Sequence, residues 1–260
     1  MGNVDVLSDS DRALLSTIVD GKPVTNLQSS SGKYRELVTG ILLQYADSEM
    51  AGGVGFAGAL SLAPSLLEKT ALAKIAYEKL NLADRTYQLV AQTGINIDKY
   101  IASHCWDARL GRTATLGYKR ISADKRLNSL HFPIQGWADL AVFTYLMAGV
   151  ACIQLEDFCS SSFEPWSQLA EAHLPIEESH REFGLNALRR ASKFEQELSS
   201  IRLSVCYWYD KVLACCGPPS SDRNSLFLEF KLKASKNEDI AIRWQHEVAN
   251  ALAEINVSVG

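Results

Sequence analysis

The sequence predicts an all-α fold built around four long helices. Apolar residues recur at steps of three and four along most of the chain, which places them on one face of a helix. No segment alternates apolar with polar residues as a half-buried strand does, and no hairpin turn signal is present. A chain of 260 residues, of which 47% are hydrophobic, is long enough to bury a full core.

Helix start and stop signals divide this pattern into elements. The segment 52–58 holds four glycines and is expected to end the first long helix. Pro64 and Pro175 suit the first turns of two later helices, because proline lacks the N–H that a first turn leaves unpaired. Ser235, with Glu238 three residues later, forms a capping-box pattern before the last helix. The predicted helices cover residues 9–19, 34–50, 65–92, 137–158, 175–198, 201–216 and 235–255.

The chain is expected to consist of a short leader and one large domain. Residues 1–32 predict a short helix followed by a polar lead, and residues 33–260 predict the helical domain. Within that domain, residues 95–133 are less regular. We expect a short helix and an excursion there, which would serve as a lid or a partner surface. The apolar stretch 137–158 is too long for a strand and predicts a buried helix.

Composition excludes several classes of protein. The 26 basic and 30 acidic residues give a net charge of −4, which argues against a nucleic-acid binder and against a highly charged disordered chain. Apolar runs are interrupted before they reach the ~20 residues that a membrane span needs, and no secretion signal opens the chain. The six cysteines form no CxxC pair and are expected to be reduced thiols. We therefore expect a cytoplasmic protein without nucleic-acid or membrane partners.

One glycine motif gives a misleading signal. The residues from Gly53 to Gly58 match the GxGxxG pattern of dinucleotide-binding proteins. That pattern binds a pyrophosphate only where a strand precedes it and a helix follows it. The residues before Gly53 have helical periodicity instead, so we interpret the motif as a helix interruption with close backbone packing.

The most informative feature is a set of acids inside apolar helices. Glu49 ends the first apolar helix, Glu78 lies in the middle of the second, and Glu177 and His180 lie three residues apart on one helix face. Carboxylate-bridged di-iron bundles use this Glu-x-x-His unit twice. Carboxylates bridge two irons and cancel their charge, while imidazole is a neutral terminal ligand. Burying four such groups without a metal would be costly, so the pattern indicates a metal site.

The spacing of these acids suggests two related halves, each of which lacks one ligand. Glu78 follows Glu49 by 29 residues, and a step of the same length back from Glu177 reaches Ala148, where a di-iron bundle would place a carboxylate. Asn81 likewise stands where the histidine that pairs with Glu78 is expected.

Several composite motifs occur in the order found in a known family. They are Tyr45-Ala-Asp-Ser-Glu-Met, Ala63-Pro64, Leu72-Ala-Lys-Ile, Phe132-Pro133, Trp137-Ala-Asp-Leu, Leu146-Met-Ala-Gly, Glu177-Glu-Ser-His, Trp208 to Cys216-Gly-Pro-Pro-Ser-Ser-Asp and the tail from Ser235. Over about residues 30–257 the chain resembles the A-type component of the bacterial phenylacetyl-CoA epoxidases, in the phenylacetate-catabolism A/C family of ferritin-like di-iron proteins. The resemblance implies a ferritin-like four-helix bundle with additional peripheral helices.

The resemblance also implies a catalytic site with two irons. The positions that match the family's ligands are Glu49, Glu78, Glu177 and His180, and Glu78 and Glu177 match the bridging carboxylates. The family's histidine corresponds to Asn81 and its aspartate to Ala148, so each iron would lose one terminal ligand.

The family binds a coenzyme A thioester. Gln44 and Lys74 match positions that contact this ligand, while Gly40 stands where an arginine is expected. The alternative for Lys74 is a snorkelling or ion-paired lysine.

Replacement ligands could restore the incomplete site. Tyr145 and Cys152 lie three residues before and four residues after Ala148, so both share its helix face. Asn81 itself is a further candidate. The alternative for Tyr145 and Cys152 is that both are core residues, which apolar helix positions usually are.

Two functions follow from these expectations. The first is a non-haem di-iron oxygenase or oxidase that activates O2, takes electrons from a reductase and oxidises an aromatic or acyl substrate, such as a coenzyme A thioester. The alternative is a non-catalytic structural subunit with a degenerate metal site, for which the C-type component of the family is a precedent. A third possibility keeps one iron, bound by Glu78, Glu177 and His180. Either a C-type partner subunit or a homodimer is expected.

Overall fold

The computed structural model describes residues 7–115 and 124–259. Within these ranges the regular structure is helical, apart from an isolated bridge between Val24 and Phe163. The α-helices are α1 (Asp9–Val19), α2 (Gly32–Gly58), α3 (Leu66–Ala91), α4 (Ile97–Ala102), α5 (Trp137–Phe158), α6 (Glu164–Ala191), α7 (Glu195–Leu213), α8 (Asp222–Glu229) and α9 (Asn237–Ala253). The prediction of an all-α fold is confirmed.

Four long helices form the ferritin-like bundle, and the shorter ones surround it. α2 packs along α3, and α5 packs along α6, each pair being joined by a short connection. α7 and α9 pack on the outer side of α5, so this helix lies at the centre of the fold. Although α5 is long and apolar enough to cross a membrane, 83% of its most apolar window is buried inside the protein. Its apolar character is therefore that of a core helix.

The prediction that residues 52–58 end the first long helix is wrong. α2 continues to Gly58, and two of its glycines, Gly52 and Gly53, lie where α3 approaches closely. A Cβ added to Gly53 would lie 2.7 Å from Cγ of Leu80 and 3.2 Å from the carbonyl oxygen of Ala76. Packing against α3 thus outweighs the weak helix propensity of glycine, which costs about 1 kcal/mol per residue relative to alanine.

The predicted helix starts at Pro175 and Ser235 are also wrong. α6 begins at Glu164, so Pro175 lies inside the helix and only Pro165 occupies the first turn. One proline removes one hydrogen bond, whereas α6 makes extensive contacts with α5. The last helix begins after Lys236 without a side-chain cap, so the expected capping box does not form.

Hydrogen bonds to Asp47 of α2 hold the irregular region after α3 against the bundle. This fully buried carboxylate accepts hydrogen bonds of 2.7 Å from the hydroxyls of Tyr87 and Tyr100 and one of 2.5 Å from the backbone N–H of Lys125. The short helix expected in this region is confirmed as α4, which is Ile97–Ala102. The rest of the expected excursion lies partly outside the described residues, since 116–123 are not among them.

Candidate functional site

The bundle brings together the four side chains that the sequence singles out as metal ligands. Glu49 comes from α2, Glu78 from α3, and Glu177 and His180 from one face of α6. Nε2 of His180 lies 3.0 Å from Oε2 of Glu78, and its Nδ1 lies 3.3 Å from Oε1 of Glu177. Glu49, Glu177 and His180 are at most 5% exposed. The acids and the imidazole therefore form one buried polar cluster in the centre of the bundle.

A lysine that the sequence patterns did not single out lies inside this cluster. Nζ of Lys79 is 2.8 Å from Oε1 of Glu177 and 3.0 Å from Oε2 of Glu49, so one ammonium bridges two acids from different helices. Its aliphatic part passes over Gly52, where a Cβ would lie 3.1 Å from Cδ of Lys79. The absence of a side chain at Gly52 leaves the room that Lys79 needs to reach Glu49, one turn earlier on α2.

The helical periodicity of α3 indicates that Lys79 lies on the buried face of this helix. The buried residues of α3 include Leu72, Ile75, Leu82 and Thr86, which recur at steps of three and four. Lys79 continues this series at a position where an apolar residue would be expected in a core helix. A lysine within a buried stripe needs an acid nearby, because an unpaired buried charge is costly.

Burial and the Lys79 ammonium act in opposite directions on the pKa values of the acids. Burial raises the pKa of Glu49 to about 7, an effect that the Lys79 ammonium opposes. Burial also acts to raise the pKa of Glu177, but Lys79 and His180 outweigh it and hold that pKa well below its ordinary value. The two acids in turn raise the pKa of Lys79 despite its burial. Lys79 therefore stabilises the ionised form of Glu177 more strongly than that of Glu49.

The donor set does not fit a pair of irons. Among residues 7–115 and 124–259, no group of three or more His, Cys, Asp and Glu side chains is placed to hold a metal ion. An ammonium occupies the space between Glu49 and Glu177, and a cation there would repel a metal ion. Asn81 is exposed, and Ala148 has no donor atom. The acids thus have an internal cation in place of iron, while Oε2 of Glu177 and Nδ1 of His180 are buried without a hydrogen-bond partner among the described residues.

The two other candidate ligands are both buried. Burial raises the pKa of the Cys152 thiol to about 12, with a smaller contribution from Glu177. Burial also raises the pKa of the Tyr145 hydroxyl to about 12. Metals bind the thiolate and phenolate forms of these side chains, and the folded protein disfavours both. These properties agree with the alternative that Tyr145 and Cys152 are core residues.

A cavity of about 1020 Å³ reaches the cluster from the surface, and its inner wall includes Glu49, Lys79, Ala148 and His180. Of the residues predicted to contact a thioester, Gln44 lines this cavity.

Gly40 lines the same cavity as Gln44, whereas Lys74 is not among its lining residues. The side chain of Lys74 is 68% exposed and forms an ion pair of 3.3 Å with Glu78. This agrees with the alternative prediction of an ion-paired lysine. At Gly40, a Cβ would collide with the guanidinium of Arg223, which α8 places over the glycine. A cation therefore lies beside position 40, but it comes from another helix.

Comparison with known proteins identifies the family. The family model described as phenylacetic acid catabolic protein matches residues 22–259, which include all four bundle helices and the whole cluster. No curated protein matches the chain. The family resemblance in the sequence is confirmed by this match, whereas the assignment to the A-type component stays a prediction. The chain belongs to the family of phenylacetic acid catabolic proteins.

Proposed function

We propose that this protein is a non-catalytic, ferritin-like subunit of an oxygenase assembly, in which Lys79 supplies the positive charge that metal ions supply in a di-iron bundle. The observation that carries the proposal is the position of the Lys79 ammonium, within 3.0 Å of both Glu49 and Glu177. The family match supports the connection to phenylacetate-type catabolism. The partner in this proposal is a catalytic chain of the same family, which would hold the iron and receive electrons from the reductase.

The chemistry of the cluster explains why acids are retained without a metal. The two buried carboxylates of Glu49 and Glu177 need a cation, since each uncompensated charge is expensive to bury. Lys79 meets this need from within the chain, and Lys74 partly neutralises Glu78 at the edge of the cluster. A subunit of this kind keeps the bundle geometry of an iron protein without depending on iron for its stability.

A di-iron oxygenase acting on an aromatic or acyl thioester substrate is the second candidate function. It is favoured by the convergence of Glu49, Glu78, Glu177 and His180, and by the cavity that leads to them. This function requires iron to displace the Lys79 ammonium from its two carboxylates. It also requires the irons to bind without the ligands that Asn81 and Ala148 replace.

Iron loading separates the two functions. We expect the full chain, incubated anaerobically with Fe(II) and desalted, to retain no more iron than a buffer control, and to develop no chromophore when O2 is admitted. The measurements are elemental analysis and optical spectroscopy. Retention of about two irons per chain, as in di-iron bundles, with a transient oxidised chromophore would favour the oxygenase and contradict the proposal.

Two lysine variants test why iron is excluded. In Lys79→Ala the carboxylates of Glu49 and Glu177 lose their cation, so we expect this variant to retain iron that the natural chain does not hold. Lys74→Ala is the matched control, because Lys74 lies on the same helix but is largely exposed. Iron retention by Lys74→Ala equal to that of Lys79→Ala would show that the central ammonium is not what excludes the metal.

A further inference from the structure

A second lysine is buried at the wall of the large cavity, away from the acid cluster. Lys233 is 7% exposed, yet within the described parts of the chain no carboxylate lies within 4.0 Å of its ammonium. Among residues 7–115 and 124–259, the ammonium of Lys233 donates one hydrogen bond, to Oδ1 of Asn237 at 3.3 Å. An ammonium carries three donors, so this contact leaves most of its hydrogen-bonding capacity unused. A buried cation with one neutral partner is costly unless an anion joins it.

The walls of the cavity are more basic than the protein as a whole. Five basic residues from the described parts of the chain line it, and they are Arg35, Lys79, Lys125, Arg223 and Lys233. The acids in the lining are Glu36 and Glu49, and each of them already forms an ion pair with a lysine. A chain with a net charge of −4 thus has a cavity with an excess of positive charge. Such a cavity concentrates anions.

The surroundings of Lys233 define the kind of anion. Its ammonium lies 5.8 Å from the ring centre of Phe158, and Phe143, Met147 and Phe227 also line the cavity. Burial lowers the pKa of Lys233, an effect that the more distant Asp157 partly opposes. One ammonium beside apolar walls matches a single negative charge on an apolar body better than it matches a phosphate, which carries up to two charges.

We propose that Lys233 is the anion-binding group of a ligand site in this cavity, and that the site takes a carboxylic acid with an apolar body. The carboxylate pairs with the Lys233 ammonium, and the apolar body lies along Phe158 and the neighbouring walls. The site is independent of the proposed function, since it uses none of the residues of the acid cluster. It also uses neither Gln44 nor Lys74, the positions that match thioester contacts.

Calorimetric titration of the full chain with two ligands of the same shape tests this site. Octanoate carries the charge, and octanamide has the same chain without it. At neutral pH we expect octanoate to bind about tenfold more tightly than octanamide, the difference that one charged hydrogen bond typically makes. Equal affinities, or no detectable binding of octanoate, would overturn the proposal.

Two lysine variants assign the effect to one residue. Lys233→Met should lose the preference for octanoate while it keeps the affinity for octanamide, and its circular dichroism should show an intact helical fold. Lys236→Met is the matched control, because Lys236 is close in sequence but exposed, and it should keep the preference. If Lys233→Met still prefers octanoate, the anion is held elsewhere in the cavity and the assignment to Lys233 is wrong.

Discussion

Replacement of Lys79 by methionine is expected to destabilise the fold by about 3–5 kcal/mol at neutral pH, the typical cost of removing one partner from a buried ion pair. The variant keeps a side chain of similar volume, so the loss comes from the two carboxylates that the ammonium bridges. Urea unfolding followed by circular dichroism measures the change in the free energy of unfolding.

The loss should shrink as the pH is lowered towards about 5. Burial acts to raise the pKa of both acids, and Lys79 is the largest influence that opposes it, so we expect both pKa values to rise when Lys79 is removed. The folded variant then takes up protons as the pH falls and gains stability relative to the unfolded state. Lys74→Met is the control and should cost less than about 1 kcal/mol, because its ion pair is exposed. A loss as small as that of Lys74→Met would contradict the central role of Lys79.

The triple variant Lys79→Met, Glu49→Gln, Glu177→Gln should recover most of the stability. It removes the ammonium and both stranded charges at once, and a buried ion pair replaced by neutral groups of similar volume is often neutral in stability. If the triple variant is as unstable as Lys79→Met, the loss arises from packing rather than from charge.

Replacement of Gly184 by alanine is expected to destabilise the fold by about 1–3 kcal/mol, the usual cost of overpacking a core. Gly184 lies on α6 where that helix meets α5, and a Cβ there would lie 2.6 Å from the backbone nitrogen of Tyr145 and 2.9 Å from its Cα. Backbone atoms cannot turn aside as the end of a side chain can, so the two helices must separate. The midpoint of urea unfolding measures the effect.

Gly149→Ala is the matched control for this prediction. Gly149 is a buried glycine of α5, but a Cβ there would meet Trp244 at ordinary contact distances of 3.4 and 3.6 Å. Alanine favours a helix by about 1 kcal/mol over glycine, so this variant should be as stable as the natural chain or more so. Equal destabilisation by both variants would show that the approach of α6 to Tyr145 is not specially tight.

Much of the fold follows from periodicity alone. Helix α5 has the predicted bounds, Trp137–Phe158, because a long apolar stretch without proline breaks has few alternatives to a buried helix. The errors occur where tertiary contacts overrule local preferences. The glycines of 52–58 and Pro175 stay in helices because α2 packs extensively on α3 and α6 packs extensively on α5.

The sequence predicted the acids and the imidazole of the candidate site, but not the lysine that neutralises two of the acids. The spacing of Glu177 and His180 places both on one helix face, and the bundle brings Glu49 and Glu78 to them. A metal-ligand motif does not include Lys79, because a protonated lysine does not bind metal ions. The role of Lys79 also depends on the missing side chain of Gly52 on another helix, which no pattern within α3 could reveal.

A crystal structure of the full chain after anaerobic exposure to Fe(II), with anomalous data collected at the iron absorption edge, would decide whether an ammonium or iron neutralises the buried acids. We expect no iron peak between α2 and α6, and electron density for Lys79 that contacts the carboxylates of both Glu49 and Glu177. Two iron peaks between these acids, with the Lys79 side chain displaced from them, would contradict the role proposed for Lys79.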